Sequence, residues 1–247
     1  GSYAEIDGGS LIRRSWGGGI SVYSNKHITF KNLMIQNNYT NNAGGGVSIR
    51  AVDSDGKFDF EKVVFQDNES DAIGGAFYSY GLAGTPSLNI ANCIFIRNKG
   101  AGSTGGGALY HSVGTGTDYI LNIINSEFRN NETADTYGGA IRLNSGTAYI
   151  NSTLFEANTA ASRGGAIYST GGSTLNLDGC TFDGNTSTTG GHYYIFNGTG
   201  NITNTIFKNG NASGNGGAIY VASGTVLLTI SNSEFYLNTA QSGGGVL

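Results

Sequence analysis

Proline is nearly absent from this chain of 247 residues, which holds 1 Pro, 1 Trp, 1 Met and 2 Cys. Charged residues make up only 12%, about half the usual share of a soluble protein. No basic run occurs and the net charge is −4, which argues against a nucleic-acid partner, since such binders carry a clustered Lys/Arg footprint. No apolar stretch approaches the roughly 18 residues that span a bilayer, so direct membrane insertion of this segment is not expected. No signal peptide is visible. Gly1 and Ser2 read as a cloning remnant, and the chain as a fragment of a larger surface protein.

What the chain has in excess is glycine, 42 residues, alongside 38% hydrophobic residues, 14 Tyr and 12 Phe. The glycines follow no strict three-residue period, which excludes collagen, and so apolar a composition excludes disorder. They recur instead as pairs followed by a small and then an apolar residue. These motifs begin at Gly17, Gly44, Gly74, Gly106, Gly138, Gly164, Gly190, Gly216 and Gly243, with gaps of 26 to 32 residues. Between them an apolar residue precedes Asn by three positions: Ile35/Asn38, Phe65/Asn68, Phe95/Asn98, Phe128/Asn131, Phe155/Asn158, Phe182/Asn185 and Phe235/Asn238. At Phe207 the Asn position holds Gly210.

A fixed period of this length marks a repeat architecture. Each unit carries three short alternating runs: one after the glycines, one such as Leu88/Ile90 or Leu175/Leu177, and one ending in the Phe. Period-2 alternation predicts strands, and no segment holds a helical period. The expected fold is all-β: a right-handed parallel β-helix of about nine coils with three strands per coil, over residues 1–247. Stacking at about 4.8 Å per coil would give a rod on the order of 40 Å long.

In that fold the Phe residues form an interior column. The glycine pairs supply backbone conformations closed to other residues. Asn suits the corner after the Phe because it tolerates the left-handed region. A second series (Asn32, Asn92, Asn125, Asn204, Asn232) sits at the corner before the third strand. Stacked Asn side chains can form hydrogen-bonded ladders, as in cross-β structures.

These tetrapeptides resemble those of the polymorphic membrane protein family, which is marked by repeated Gly-Gly-Ala-Ile and Phe-x-x-Asn. GGAI stands at Gly138–Ile141, Gly164–Ile167 and Gly216–Ile219, with variants at Gly44, Gly74, Gly106 and Gly243. The chain is also similar to Asn/Thr-rich β-helical regions of adhesin-like surface proteins of gut methanogens. Both resemblances imply an extracellular, cell-surface adhesive or scaffold segment without cofactor.

Tyr78, Tyr110, Arg142, Tyr168, Tyr194 and Tyr220 share one register. The residue before each is apolar, so alternation turns these six outward. They are the candidate binding residues, an exposed stripe for a glycan or protein on a host or neighbouring cell; the bland alternative is cross-strand stacking for stability. His27, His111 and His192 lack partners at metal-ligand spacing, so no metal and no catalytic residue is assigned. Cys93 and Cys180 occupy equivalent positions three coils apart, roughly 14 Å, too far for a disulfide; two free, buried thiols are expected. Glu127/Glu234, Asp178/Asp183 and the loop acids Asp53/Asp55 and Glu69/Asp71 show no cluster with a Lys or Arg that could act as a base. Sequons stand at Asn38, Asn68, Asn131, Asn151, Asn185, Asn197, Asn201 and Asn211. No flat Thr-x-Thr array of the ice-binding kind is seen. The preferred expectation is a non-catalytic adhesin segment. The alternatives are a polysaccharide lyase or hydrolase of β-helical type and an inert stalk.

Overall fold

Each repeat folds into four extended segments, one more than the alternation predicts. A computed structural model describes residues 4–7, 16–24, 26–51, 56–82, 84–114, 118–134, 136–222 and 225–244. Among these, every strand pairing is parallel and no helix is present. The strands stack into four sheets of nine, eight, eight and eight strands. The first and last strands of each eight-stranded sheet are separated by seven turns of the chain, so the molecule is a parallel β-solenoid with four strands per turn, and it differs in both coil count and strands per coil from the nine three-stranded coils expected.

In chain order, a turn begins in the tyrosine sheet, which runs from Ile20–Ser24 to Ile219–Val221. It continues through the amide sheet, from Ile28–Lys31 to Val226–Ser231. The third wall is the phenylalanine sheet, from Ala4–Asp7 to Glu234–Tyr236. The fourth is a sheet of two-residue strands, from Tyr39–Thr40 to Thr239–Ala240. Two residues are too short to show alternation, which is why the pattern predicts three strands. A signal was nevertheless present: two positions after each Phe-x-x-Asn asparagine stands a small residue, as in Thr40, Ser70, Gly100, Thr133 and Ala160. These small residues point inward and are buried.

The short sheet explains the second glycine of each pair. The first glycine does sit at positive φ, as at Gly74 (φ +65°), which favours a residue without Cβ. The second does not. A Cβ on Gly75 would lie 2.2 Å from the Gly107 carbonyl oxygen and 2.4 Å from the Lys99 carbonyl carbon of the short strand in the next turn. The first glycine is there for its dihedral angle, the second for close backbone approach.

Inside, the expected Phe column is present. From Phe65 through Phe95, Phe128, Phe155, Phe182 and Phe207 to Phe235, successive ring centroids are 4.4–5.1 Å apart and rings are tilted by only 3–12°. Cys93 and Cys180 are free and buried beside it, and burial pushes both thiols up to about 11.

The asparagine of Phe-x-x-Asn does not take the left-handed corner. That conformation falls one residue earlier, at Asn37, Asp67, Arg97, Asn130, Ala157, Asn209 and Leu237 (φ 51–57°). The second Asn series does adopt it, at φ 48–54°. The Phe-x-x-Asn side chains instead point inward and form a buried ladder. Asn98 Nδ2 donates to Asn131 Oδ1 at 3.0 Å and to the Phe65 carbonyl at 2.9 Å, while the Asn98 backbone N–H donates to the same Asn131 oxygen at 3.0 Å. The same set joins Asn38 to Asn68, Asn68 to Asn98, Asn131 to Asn158 and Asn158 to Asn185, save that Asn38 Nδ2 meets the Gln36 carbonyl.

The ladder meets its one exception at Gly210, where no side chain is available. There His192, which replaces the small residue after a glycine pair, reaches in from the next wall. Asn185 Nδ2 donates to His192 Nδ1 at 2.9 Å, and His192 Nε2 lies 3.1 Å from Asn238 Oδ1. Accepting at Nδ1 places the proton on Nε2, so the imidazole supplies one acceptor and one donor where an asparagine would have stood. A Cβ on Gly210 would lie 2.5 Å from His192 Nε2. Two departures from the repeat are thus a single compensated pair.

Two predictions follow from this interior. Phe128→Ala, which removes the centre of the stack, is expected to cost about 3–5 kcal/mol and lower Tm by on the order of 10 °C in a thermal melt. His192→Ala and Gly210→Asn should each destabilise, the first by leaving buried groups unpaired and the second by collision. The double variant rebuilds the consensus ladder and should recover most of the loss, with a coupling of about 1–3 kcal/mol in a denaturant cycle.

Candidate functional site

The six sequence-predicted residues do fall on one row, pointing away from the core, but the row is not an open stripe. Tyr78, Tyr110, Tyr168 and Tyr194 are only 4–9% exposed; Arg142 and Tyr220 are half-buried. Tyr78 stacks on Tyr110 at 5.7 Å, Tyr168 on Tyr194 at 5.4 Å and Tyr194 on Tyr220 at 5.2 Å. The Arg142 guanidinium fills the break, 5.7 Å from the Tyr110 ring centre and 5.3 Å from that of Tyr168. It also donates to the Thr104 carbonyl and to Asn144 Oδ1.

The cover comes from the segment that leads out of the short strand into the glycine pair. Trp16 packs on Tyr78 at 5.1 Å and Tyr137 on Tyr168 at 4.7 Å. Arg163 lies over both Tyr137 and Tyr194, at 5.4 and 5.1 Å. Each of these three covering residues stands immediately before a glycine pair. The row is therefore a second, outer core of aromatic and cation–π contacts, largely withdrawn from solvent.

Open chemistry lies elsewhere, in charged pairs several of which only the register brings together. His27 Nε2 is 2.7 Å from Asp59 Oδ2 of the next turn, where the sequence shows no partner. Lys57 and Asn89 also hold Asp59, at 3.2 and 2.7 Å. Desolvation opposes ionisation of Asp59, but these hydrogen bonds outweigh it and keep its carboxyl below the usual range. Arg97 binds Asp67 through Nε and Nη2 at 2.8 and 2.9 Å, lowering the Asp67 pKa. With Glu69, Lys99, Asn130 and Glu132 this pair lines a groove of about 530 Å³ along the corner beside the short sheet. Arg129 likewise joins Glu127 and Glu156. Acids and basic residues thus pair both within a strand, as Lys57 with Asp59 and Arg129 with Glu127, and across turns, as Arg97 with Asp67 and Arg129 with Glu156. Glu69 belongs to a short strand rather than a loop; Asp53 and Asp55 lie outside the described residues.

The other histidines are buried. His111 sits between Ser79 Oγ (3.2 Å) and the Tyr119 carbonyl (3.3 Å), with its ring against Tyr119. Desolvation lowers both His111 and His192 to about 4. Among the described residues no group of three or more His, Cys, Asp or Glu is placed to hold a metal ion. Of the sequons, Asn38, Asn68, Asn131 and Asn185 are rungs of the buried ladder, at most 1% exposed; their hydroxyl two residues on is the small inward residue of the short strand. Those four sequons follow from the fold rather than from glycosylation.

The comparisons agree with this architecture. The Chlamydia polymorphic membrane protein repeat matches residues 152–170, the span that holds Phe155-x-x-Asn158 and Gly164-Gly-Ala-Ile167. No curated protein and no solved structure matches the chain. The repeat and the solenoid together describe a polymorphic membrane protein-like β-helical protein.

The two buried histidines give a pH dependence with a definite sign. Each has a folded pKa near 4, below the ordinary 6.5. Above 6.5 both states are neutral and the stability is full; between 6.5 and 4 the unfolded chain takes up protons that the folded chain refuses, so stability falls as pH falls. The loss should approach roughly 3 kcal/mol per histidine by pH 4. Denaturation midpoints measured from pH 7 to 4.5 should decline, and the His192→Ala/Gly210→Asn double variant should show a shallower decline.

Proposed function

We propose that this chain is a surface-displayed, adhesin-like rod that binds glycan or protein through its outer walls and catalyses no reaction. One observation carries the reading. The interior repeats the same Phe and Asn contacts turn after turn, while outward positions of the phenylalanine sheet change from turn to turn, as Ile96, Arg129, Glu156, Asp183, Lys208 and Tyr236 do in one register. A constant interior with a variable exterior is what presentation of a surface needs.

The matched repeat is that of a Chlamydia membrane protein, which favours an extracellular position at the cell surface with a host or neighbouring cell as the partner. Fold alone assigns no function, so the non-catalytic part rests on the carboxylates. A glycosidase of this shape needs one carboxyl kept protonated beside a second, ionised one. Here Asp59, Glu61, Asp67, Asp178 and Asp183 are all shifted downward by hydrogen bonds or ion pairs that outweigh desolvation, which suits fixed surface charges and not a proton donor.

The test is attachment of the chain to cells and to a glycan array, run beside lyase and hydrolase assays on common polysaccharides. Binding without turnover is expected. Turnover would replace this reading with the enzymatic one, and silence in every assay would leave an inert stalk.

A further inference from the structure

The geometry points to a glycan-binding face on the amide sheet, centred on Tyr149 and suited to an extended neutral polysaccharide; this rests on the adhesive reading and names the ligand class and wall. In the middle row of that sheet the neighbours of Tyr149 are amides. Asn122 lies one turn before it and Asn176 and Asn201 follow it in register. Tyr149 is 44% exposed, unlike Tyr78, Tyr110, Tyr168 and Tyr194 of the neighbouring wall. An aromatic ring with a free face on a flat sheet is the surface on which the apolar face of a pyranose stacks.

The amides beside it are set for sugar hydroxyls. Along this row three amides donate to the residue one turn before, Asn89 Nδ2 to Asp59 Oδ1 at 2.7 Å, Asn122 Nδ2 to Asn89 Oδ1 at 2.8 Å and Asn201 Nδ2 to Asn176 Oδ1 at 2.9 Å, while Asn176 Nδ2, next to Tyr149, donates to the Ala148 carbonyl at 3.3 Å. Tyr149 interrupts the row, and among the described residues nothing donates to Asn122 Oδ1. An acceptor therefore stands open one turn from the exposed ring. Each turn also presents a hydroxyl from Thr147, Thr174 or Thr199 at its outer edge.

Charge selects the ligand class. Asp178 is the one charged side chain in the four strands Ile120–Ile124, Thr147–Asn151, Thr174–Asp178 and Gly198–Thr203. It is already held by Asn204 Nδ2 and Thr203 Oγ1. Uronates or sulfated sugars would find no cation on this stretch; neutral sugars need none. The rise of a turn, about 4.8 Å, is close to the length of one pyranose in an extended chain, so a polysaccharide lying along the rod would meet an equivalent position at every sugar.

Calorimetric titration with neutral cello-, laminari-, manno- and chito-oligosaccharides tests this. Wild type should bind at least one series, more tightly as the oligosaccharide lengthens. Tyr149→Asn, which gives this turn the residue its neighbours carry and so preserves the fold, should weaken binding by about tenfold or more. Tyr149→Trp should retain it, and Tyr23→Ala, at an exposed tyrosine of another wall, should leave it unchanged. Binding unaltered by Tyr149→Asn overturns the site. So does absence of binding to every series by a chain that still attaches to cells, and in both cases the adhesive reading stands. Absence of both oligosaccharide binding and cell attachment overturns the two together.

Discussion

In-register stacking of identical polar groups in the interior is the constraint on which this solenoid depends. A buried amide without partners costs about 1–3 kcal/mol, so an interior asparagine at every turn is tolerable only if each rung satisfies the next. The ladder does this with three bonds per rung: amide to amide, amide to the preceding carbonyl, and backbone N–H to amide oxygen. A slip of one residue would turn these amides to solvent and the phenylalanines with them. The ladder therefore fixes register as well as contributing stability, and the parallel Phe stack can exist only because register is fixed.

The exceptions obey the same accounting. Gly210 removes a rung, and His192 restores both its acceptor and its donor from another wall. Arg142 breaks the tyrosine row, yet a guanidinium between two rings is itself a favourable stacking partner. In each case the chain departs from the repeat where another residue supplies the lost contact in kind. The histidine comes at a cost the asparagine would not incur, because an imidazole there must stay neutral.

Much of the fold was legible because stacking writes each contact into the sequence once per turn. The Phe column, the parallel all-β architecture, the corner position of the Asn32 series and the unpaired thiols could all be read from spacing. The fourth wall could not be read from alternation, since Glu69–Ser70 or Thr159–Ala160 offers only one inward residue, and a single small residue is no pattern. Alternation alone turns Tyr78 and its fellows outward into solvent, whereas in the molecule Trp16, Tyr137 and Arg163 cover them. The ion pairs were hidden for another reason. His27 and Asp59 are 32 residues apart and become neighbours only when the lengths of two successive turns are known.

This division bears on where recognition can reside. Inward positions are constrained twice, by their own turn and by the turns on either side, so a change there requires a compensating change like that of His192 and Gly210. Outward positions of the tyrosine sheet are constrained too, because the returning segment buries them. On the amide sheet Tyr149 stays 44% exposed, with no such cover. Substitution there perturbs few contacts, and the ring that replaces an amide at that turn adds exposed apolar surface without strengthening the row it interrupts. A residue that weakens its own ladder and faces solvent is better accounted for by contact with something outside the rod than by stability.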